Sequence, residues 1–537
     1  MKKTPVFHPF LFAIFPVLFL FAHNIALASP AQVVIPLTIT ILFTLLAFLF
    51  LSYVFKNKEK AGLVVSLFAL LFFSYGHFYN LIEGSRLVIM GYVIGPNRAL
   101  FLSGSLLFLL GMFFCIRTRR NLHNFTSLLN VIAASLVVIS LINIGVYELK
   151  TGVIRKDDRG AENVRVSPID SEKPAEFPNI YYIILDAYAR ADVLEEMYKY
   201  DNTEFIDYLT KRGFYVADKS RSNYCQSLLS LAASLNFEYL DGLADRIGIE
   251  NDSRRPLINM IRNNRVFHFL KQYGYVTVAF DSSGWGPTQI RNADIFYITP
   301  GWGLNAFHNE LINTTPIPII LEKLSKLGKR WLRRIVVMQY DFYRKKTLYA
   351  FDKLGSISKQ EGPIFVFVHI LAPHQPFVFG EHGEPIIPDE ERFTMWHVPG
   401  TEKDRAEYIE DYKRQLSFIN KKAQEAIDKM ISNSPTPPII ILQADHGPAS
   451  MLDCGDPDNT DLKERMTILN AYHLPDKGAY AHLYNTITPV NTFRVIFNYY
   501  FGADYKLLKD ESYFSSWSHP YKFINVTDSI NSGFNAE

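Results

Sequence analysis

Five apolar stretches in the first 150 residues constrain this chain more than any other feature of its sequence. Each is close to the ~20 residues that an α-helix needs to cross a ~30 Å hydrocarbon layer. The stretches cover residues 5–27, 32–55, 62–82, 97–116 and 125–148. The sequence therefore predicts an all-α transmembrane domain of about five helices over residues 1–150 and a multi-pass protein of the cell (inner) membrane.

The distribution of charge predicts which side of the membrane the rest of the chain occupies. Residues 1–150 hold 11 Lys and Arg against 3 Asp and Glu, whereas the whole chain has a formal charge of only +2. The basic residues cluster in loops on one side of the spans, at positions 2–3, 56–60 and 117–120. The positive-inside rule makes those loops cytoplasmic, so everything after the fifth span is extracytoplasmic. The small net charge gives no reason to expect nucleic acid as a partner.

The first apolar stretch has two interpretations. Lys2 and Lys3, the apolar residues and the small residues Ala26 and Ala28 also fit a cleaved signal peptide over residues 1–28. A retained anchor is favoured, because the stretch is longer than the usual 7–15 apolar residues of a signal peptide. Either interpretation leaves the C-terminal part outside the cytoplasm.

The remaining sequence predicts a linker and one large α/β domain. Residues 151–177 are polar and lack apolar periodicity, which is typical of a linker. Residues 178–537 contain short β-branched runs separated by helical patterns, and this alternation predicts a largely parallel central sheet between helices. The four clearest predicted strands are Ile180–Leu185, Tyr275–Phe280, Ile364–His369 and Ile439–Leu442.

Polar residues that follow these strands form the candidate site. Asp186 follows the first strand, His369 and His374 end or follow the third, and Asp445 and His446 follow the fourth. In open α/β sheets, ligands bind beyond the carboxyl ends of the strands, so these side chains are expected to converge. Carboxylates together with imidazoles predict a metal site. Each residue alone has an ordinary explanation as a helix cap or a core histidine, so the prediction rests on the joint pattern.

A serine-rich segment, residues 222–236 (SNYCQSLLSLAASLN), lies between the first and later strands. A hydroxyl at the start of an apolar helix lies near free backbone N–H groups and the positive end of the helix dipole, where a phosphoryl or sulfuryl group is stabilised. Four serines compete for this role, and spacing alone does not distinguish them from ordinary caps.

With these motifs, the sequence resembles the alkaline phosphatase/sulfatase superfamily, in particular its membrane-anchored sulfatase-like branch of lipoteichoic acid synthases and phosphoethanolamine or phosphoglycerol transferases. The resemblance covers residues 178–502. It is carried by PNIYYIILDA at 178–187, the serine-rich segment 222–236, PHQPF at 373–377, DHG at 445–447 and TPVNTFR at 488–494.

The resemblance implies roles for individual residues. Asp186, Asp445 and His446 would bind a divalent metal together with the nucleophile, and Ser227 stands where relatives usually have Thr. His374 matches a histidine that contacts the substrate or a second metal in relatives, and His369 is a weaker candidate that fits a core position equally well. Zinc, manganese, magnesium and calcium all have precedents in the superfamily, so the metal's identity stays open.

Departures from the family patterns narrow the expected activity. Sulfatases convert a Cys or Ser within Cys/Ser-x-Pro/Ala-x-Arg to formylglycine, but neither Cys225 nor Ser227 is followed by that pattern. Ala187 stands where sulfatases place a second carboxylate after the first. Formylglycine-type sulfatase activity is therefore not expected. A disulfide between Cys225 and Cys454, near the two site motifs, is an open alternative to free thiols.

The resemblance implies a metal-dependent transferase that moves a phosphoglycerol- or phosphoethanolamine-type head group through a covalent Ser227 intermediate. The expected donor is a membrane lipid, and the expected acceptor is a cell-surface glycan or lipid. Two alternatives remain open: a hydrolase of phosphate or sulfate esters that uses the same site, and a non-catalytic protein of surface-polymer assembly. The sequence leaves the oligomeric state undetermined.

Overall fold

The computed structural model describes residues 5–25, 28, 30–82, 87–89, 92–161, 177–281, 285–301, 306–326, 330–357, 362–386 and 398–531. The chain forms two compact units. The helical unit comprises residues 1–167 and 303–339, and the sheet unit comprises residues 168–302 and 340–537.

The α-helices of the described residues fall into an N-terminal group of five and a C-terminal group of twelve. The N-terminal group is α1 His8–His23, α2 Pro30–Phe55, α3 Lys58–Ile82, α4 Pro96–Arg117 and α5 His123–Ala161. The C-terminal group is α6 Ala191–Glu196, α7 Thr203–Lys211, α8 Ser227–Asn236, α9 Asp241–Ile247, α10 Arg255–Arg262, α11 Arg265–Gln272, α12 Ala306–Asn313, α13 Ile317–Lys326, α14 Arg330–Ile357, α15 Glu402–Asn433, α16 Leu462–Met466 and α17 Pro489–Phe501.

The N-terminal helices agree with the predicted membrane domain, with one difference. Four of them, α2 to α5, contain segments that are long and apolar enough to cross a membrane. The fifth, α1, has only 16 residues, about 24 Å of helix, and is shorter than the span predicted over 5–27. The extracytoplasmic placement does not depend on α1, because the basic loops before α3 and between α4 and α5 determine it. Residues 26, 27 and 29, near the alternative cleavage site, lie outside the described residues.

The end of α5 differs from the predicted boundary at residue 150. The helix continues to Ala161 and so occupies the first part of the segment predicted as a linker. Arg155, Lys156 and Arg159 in this segment have good helix propensity, but the segment lacks the apolar periodicity that predicts a helix. Residues 162–176, the rest of the predicted linker, lie outside the described residues.

A segment that lies between strands of the sheet unit in sequence packs within the helical unit. Phe307 and Leu311 of α12 belong to one buried apolar cluster with Val17 and Phe21 of α1. The Gly76 N–H of α3 donates to the Thr314 carbonyl at 2.9 Å. A Cβ at Gly76 would lie 2.2 Å from the carbonyl oxygen of Asn313, so the close approach requires glycine there. Nothing in the apolar patterns predicted this packing.

The sheet unit contains a seven-stranded sheet whose spatial order is β4-β9-β8-β3-β7-β5-β6. Strands β3, β5, β6, β7 and β8 run parallel, while β9 pairs antiparallel with both β8 and β4. This arrangement confirms the predicted largely parallel sheet. The strand bounds, including two short hairpins, are β1 Leu87–Ile89, β2 Tyr92–Ile94, β3 Ile180–Leu185, β4 Phe214–Val216, β5 Val276–Phe280, β6 Ile295–Tyr297, β7 Ile364–Ile370, β8 Ile439–Gln443, β9 Asn470–His473, β10 Tyr513–Phe514 and β11 Ile524–Asn525.

The centre of the sheet is its most buried part. Every residue of β3, β7 and β8 is buried, as expected for parallel strands covered on both faces. Strand β3 lies between β7 and β8, and the three are in register with one another. Their carboxyl ends therefore reach the same edge of the sheet, and this edge carries the candidate site.

Candidate metal and nucleophile site

Three adjacent strands bring the acidic residues and one histidine together. Asp186 directly follows β3, and its N–H donates to the carbonyl of Ile370 at the end of β7 at 2.9 Å. Asp445 lies two residues beyond β8, and His369 is the penultimate residue of β7. The register of the parallel strands thus places residues that are far apart in sequence at one edge of the sheet.

These side chains form a compact buried cluster. Asp186, His369 and Asp445 each offer one ligand atom, and the three atoms lie within 4.8 Å of one another. His369 Nε2 lies 3.1 Å from Asp186 Oδ2. His446 Nε2 lies 3.7 Å from Asp186 Oδ1 and 3.5 Å from Asp445 Oδ2. The set of two carboxylates and two imidazoles is one that divalent metals accept as ligands.

The hydrogen bonds of the cluster are consistent with a bound cation. Among the described residues, Asp186 Oδ1 and Asp445 Oδ2 are buried and accept no hydrogen bond. His446 Nδ1 lies 2.9 Å from the Gly447 carbonyl, which can only accept a hydrogen bond, so the proton of the neutral ring belongs on Nδ1. The Nε2 lone pair then faces the two unpartnered oxygens. Three electron-rich atoms directed at one another in a buried site are unfavourable without a cation, so these residues fit a divalent metal.

The ionisation of the cluster agrees with this interpretation. Burial, reinforced by the nearby positive charge of Arg465, lowers the pKa of His446 to about 4 and keeps the ring neutral near pH 7. Burial would raise the pKa of Asp186, but the neighbouring His374, followed by the hydrogen bond from His369, holds it well below the usual value. Burial lowers the pKa of His369, and the contact with Asp186 outweighs burial and raises it. The cluster therefore presents an ionised carboxylate and a neutral imidazole, which are the ligand forms metals bind.

Ser227 lies beside the cluster as the first residue of α8. Its Oγ is 2.8 Å from His446 Nε2. The side chain is half-buried, whereas its neighbours Gln226 and Leu228 are buried. The helix start leaves backbone N–H groups without intrahelical partners, which favours negative charge on an approaching group. Of the four serines that compete in sequence, Ser222, Ser230 and Ser234 are buried, so Ser227 is the accessible hydroxyl.

His374 is the second half-buried group at this edge of the sheet. The backbone N–H of His374 donates to the Asp186 carbonyl at 3.0 Å, and the ring centroid of His374 lies 6.1 Å from that of His446. His374 Nδ1 lies 2.7 Å from the Gln375 carbonyl, so the neutral ring carries its proton on Nδ1 and leaves Nε2 available for proton transfer. Among the described site residues, Ser227 and His374 are therefore the half-buried groups next to the buried cluster.

The backbone next to the cluster has one uncommon conformation and one close main-chain contact. Ala187 has a left-handed φ of 59°, and its N–H reaches Asp445 Oδ1 at 3.3 Å. Such backbone conformations are uncommon outside glycine and concentrate at functional sites. Gly447 approaches the main chain so closely that a Cβ would lie 1.9 Å from the Glu464 carbonyl oxygen. The two loops that carry Asp186 and Asp445 thus hold each other in position.

Three supporting residues were not predicted as part of the site. Arg465 donates to the carbonyls of Cys225 and Gly447 at 2.8 and 2.9 Å, and so joins the serine segment to the DHG motif. Gln415 of α15 donates to the His374 carbonyl at 2.9 Å. Tyr412 donates to the Ala187 carbonyl at 2.9 Å. For Gln415 and Tyr412, the sequence offers one indication: α15 carries these polar side chains on the same face as its buried apolar residues.

The structure places each predicted site residue as follows. Asp186, Ser227, Asp445 and His446 lie together, with His374 at the edge of the group, and their roles as ligands, nucleophile and acid remain predictions. His369 joins the cluster through Asp186, although its position in an apolar strand fitted the core equally well. Cys225 and Cys454 are free thiols, so the disulfide alternative is not realised in this structure.

Comparisons with known proteins extend these observations. No curated protein sequence matches the chain significantly. The solved structures that it resembles include the C-terminal periplasmic domain of EcEptC from Escherichia coli in complex with Zn (14% identity, 67% of this chain and 96% of that chain, TM-score 0.42). They also include the integral membrane protein lipooligosaccharide phosphoethanolamine transferase A (EptA) from Neisseria meningitidis (12% identity, 92% and 95%, TM-score 0.37). A third is the putative sulfatase yidJ from Bacteroides fragilis (14% identity, 65% and 84%, TM-score 0.38).

A family comparison is more decisive. The sulfatase family model matches residues 178–490, which is more than half of the chain and includes Asp186, Ser227, His374 and Asp445. The match agrees with the resemblance drawn from the strand-end motifs and with a buried cluster that fits a divalent metal. The chain belongs to the sulfatase family of enzymes.

Proposed function

We propose that the protein is a membrane-anchored, metal-dependent transferase that moves a phosphate-ester head group from a membrane lipid to a cell-surface glycan or lipid. The observation that carries the proposal is the placement of Ser227 Oγ, half-buried and 2.8 Å from His446 Nε2, beside the acidic cluster. A hydroxyl in this position is a candidate nucleophile for a phosphate ester of the phosphoglycerol or phosphoethanolamine type.

Two features favour transfer of a phosphate ester over sulfatase chemistry. Neither Cys225 nor Ser227 stands in the formylglycine pattern, so an unmodified serine is the nucleophile available. The candidate membrane spans precede the site in the same chain, which confines the site near lipid donors and raises their effective concentration. A divalent ion held by Asp186, Asp445, His446 and Ser227, with His369 close by, would lower the pKa of the Ser227 hydroxyl and neutralise charge on the phosphate.

The first step forms a bond between Ser227 Oγ and phosphorus while the bond from phosphorus to the diacylglycerol oxygen breaks. Ser227 loses its proton to solvent, and the imidazolium form of His374 donates its own Nε2 proton to the leaving diacylglycerol oxygen, which leaves the neutral ring. In the second step an acceptor hydroxyl attacks phosphorus and gives its proton to His374. The Oγ–phosphorus bond breaks, and Ser227 takes up a proton from solvent, so both residues return to their starting states.

The test uses the full chain in vesicles of phosphatidylethanolamine and phosphatidylglycerol with added Mn²⁺ or Zn²⁺. Release of diacylglycerol that requires the metal, rises with a sugar acceptor and is lost in Asp445→Asn is expected. Release at the same rate with and without acceptor would favour the hydrolase. Metal binding without any release would favour the non-catalytic alternative.

A further inference from the structure

The C-terminal segment of the sheet unit is attached to the residues that precede Ser227. Gln226 Nε2 donates to the carbonyl of Ser515 at 2.8 Å and lies 3.3 Å from that of Ser516. The N–H of Ser515 lies 3.4 Å from Cys225 Sγ. A segment more than 280 residues later in sequence is therefore held against the start of α8, where the candidate nucleophile lies.

This segment exposes an aromatic ring. Trp517 is 41% exposed, and among the described residues of the sheet unit it is the one exposed Phe, Tyr or Trp side chain. The backbone N–H of Trp517 donates to the Cys454 carbonyl at 2.8 Å. Arg254 donates to the Trp517 carbonyl, and its guanidinium carbon lies 4.0 Å from the centroid of the Trp517 ring. Arg254 thus holds the ring in place, and part of the side chain remains exposed to solvent.

Polar residues flank Trp517 in sequence and bond to one another. Ser518 Oγ lies 3.0 Å from His519 Nδ1, and Ser516 Oγ accepts from the His519 N–H at 3.1 Å. His519 Nε2 lies 3.7 Å from a carboxylate oxygen of Glu250. A fixed aromatic face next to exposed hydroxyl, imidazole and carboxylate groups suits a sugar ring, whose C–H face packs on the aromatic and whose hydroxyls form hydrogen bonds at the edge.

Besides sugars, aromatic rings also bind cations, and the charge near Trp517 distinguishes between these two classes of ligand. An ammonium group binds the face of a tryptophan through the ring quadrupole. The guanidinium of Arg254 already lies over the Trp517 ring and repels a second cation. The surroundings of the ring therefore favour a neutral or acidic sugar over an ethanolamine head group.

We infer that Trp517 is the platform of a sugar subsite for the acceptor, which takes a neutral or acidic pyranose. The inference rests on the proposed function, because it names the acceptor class for the same site. Within the reaction, the subsite holds the sugar whose hydroxyl attacks the phosphorus bound to Ser227.

The test compares the wild-type chain in lipid nanodiscs with Trp517→Ala and Trp517→Phe. Leu507→Ala is the matched control, because Leu507 in the same unit is equally exposed at 41%. Binding of methyl glucoside, glucuronate and ethanolamine is measured by saturation-transfer NMR, which requires no catalysis. Acceptor KM and kcat are then measured from diacylglycerol release.

The wild type is expected to bind methyl glucoside or glucuronate more tightly than ethanolamine. Trp517→Ala is expected to weaken sugar binding at least about tenfold, with the change in KM and not in kcat. Trp517→Phe is expected to recover most of the binding, and Leu507→Ala to match the wild type. Preference for ethanolamine, absence of sugar binding, or equal effects of the two alanine variants would overturn the inference. If sugars bind through Trp517 but no diacylglycerol is released, the proposed function fails and the subsite stands.

Discussion

The Nε2 atom of His369 lies 3.1 Å from Oδ2 of Asp186, with both side chains buried at the carboxyl ends of adjacent parallel strands. His369 either completes the ligand set or orients Asp186 within it. In both cases we expect His369→Ala to lower the affinity for Mn²⁺ or Zn²⁺ by about 10–100-fold, the range typical of residues that orient metal ligands. Isothermal titration of the metal-stripped chain measures this affinity. The control is His473→Ala, because His473 ends β9 and pairs with Ile440 near the start of β8, away from the cluster at the strand ends. This variant should bind metal as the wild type does. Equal affinities in all three proteins would contradict the prediction.

The depressed pKa of His446 predicts a specific dependence of stability on pH. Burial and Arg465 lower this pKa to about 4 in the folded chain, compared with 6.5 for an ordinary histidine. As pH falls from 6.5 to about 4, the unfolded chain takes up a proton at this residue and the folded chain does not, so stability decreases. The contribution is about 3 kcal/mol for the metal-free protein. Below about pH 4 both states are protonated, and this contribution to the slope ends.

The measurement is chemical unfolding of the full chain in detergent with a chelator, compared with His446→Gln across the same pH range. The variant cannot titrate at this position and should lack this component of the slope. Parallel stability curves for the two proteins would show that His446 is not held neutral by the fold.

The contact of Gly76 with the Asn313 and Thr314 backbone predicts that this glycine cannot be replaced. A side chain at Gly76 would occupy the space of the Asn313 carbonyl oxygen, so Gly76→Leu should release the segment around α12 at a cost of about 1–3 kcal/mol. Hydrogen exchange of residues 306–316 in nanodiscs should become at least about tenfold faster. Gly104→Leu is the matched control, since a Cβ at Gly104 of α4 meets nothing within 4 Å. Unchanged protection in Gly76→Leu would contradict the contact.

The three cysteines predict a simple thiol count. Cys115, Cys225 and Cys454 are all free, and Cys225 Sγ contacts the backbone of Ser515. Titration of the denatured chain with a thiol reagent, without reductant, should give three thiols per chain. A count of one that rises to three after reduction would instead establish a disulfide.

Much of the sheet could be predicted because its central strands are buried on both faces. Continuous apolar runs gave Ile180–Leu185 without error and β7 and β8 to within one residue. Helix boundaries are harder to predict: the helical pattern of residues 257–273 continues across two helices, α10 and α11. The break occurs where the Asn264 side chain accepts from the Phe267 N–H and begins a new helix.

The site was predictable where its residues follow strands, and less so elsewhere. Asp186, Asp445 and His446 stand directly after apolar runs, where a polar residue is conspicuous. His369 lies inside such a run, where burial without a ligand is the commoner explanation. Arg465 and Gln415 act through backbone carbonyls of distant loops, and the packing of α12 within the helical unit depends on main-chain approach at Gly76. Contacts of this kind leave no periodic pattern in a sequence.

The covalent role of Ser227 is the central claim, and intact-mass spectrometry tests it most directly. The full chain is incubated with phospholipid vesicles and Mn²⁺ or Zn²⁺ without acceptor and then quenched in acid. Ser227→Ala is compared with Ser230→Ala, which alters a buried serine of the same helix. A head-group-sized adduct that maps to Ser227, persists in Ser230→Ala and is absent from Ser227→Ala is the predicted result. Full turnover by Ser227→Ala, or an adduct on another residue, would contradict the account.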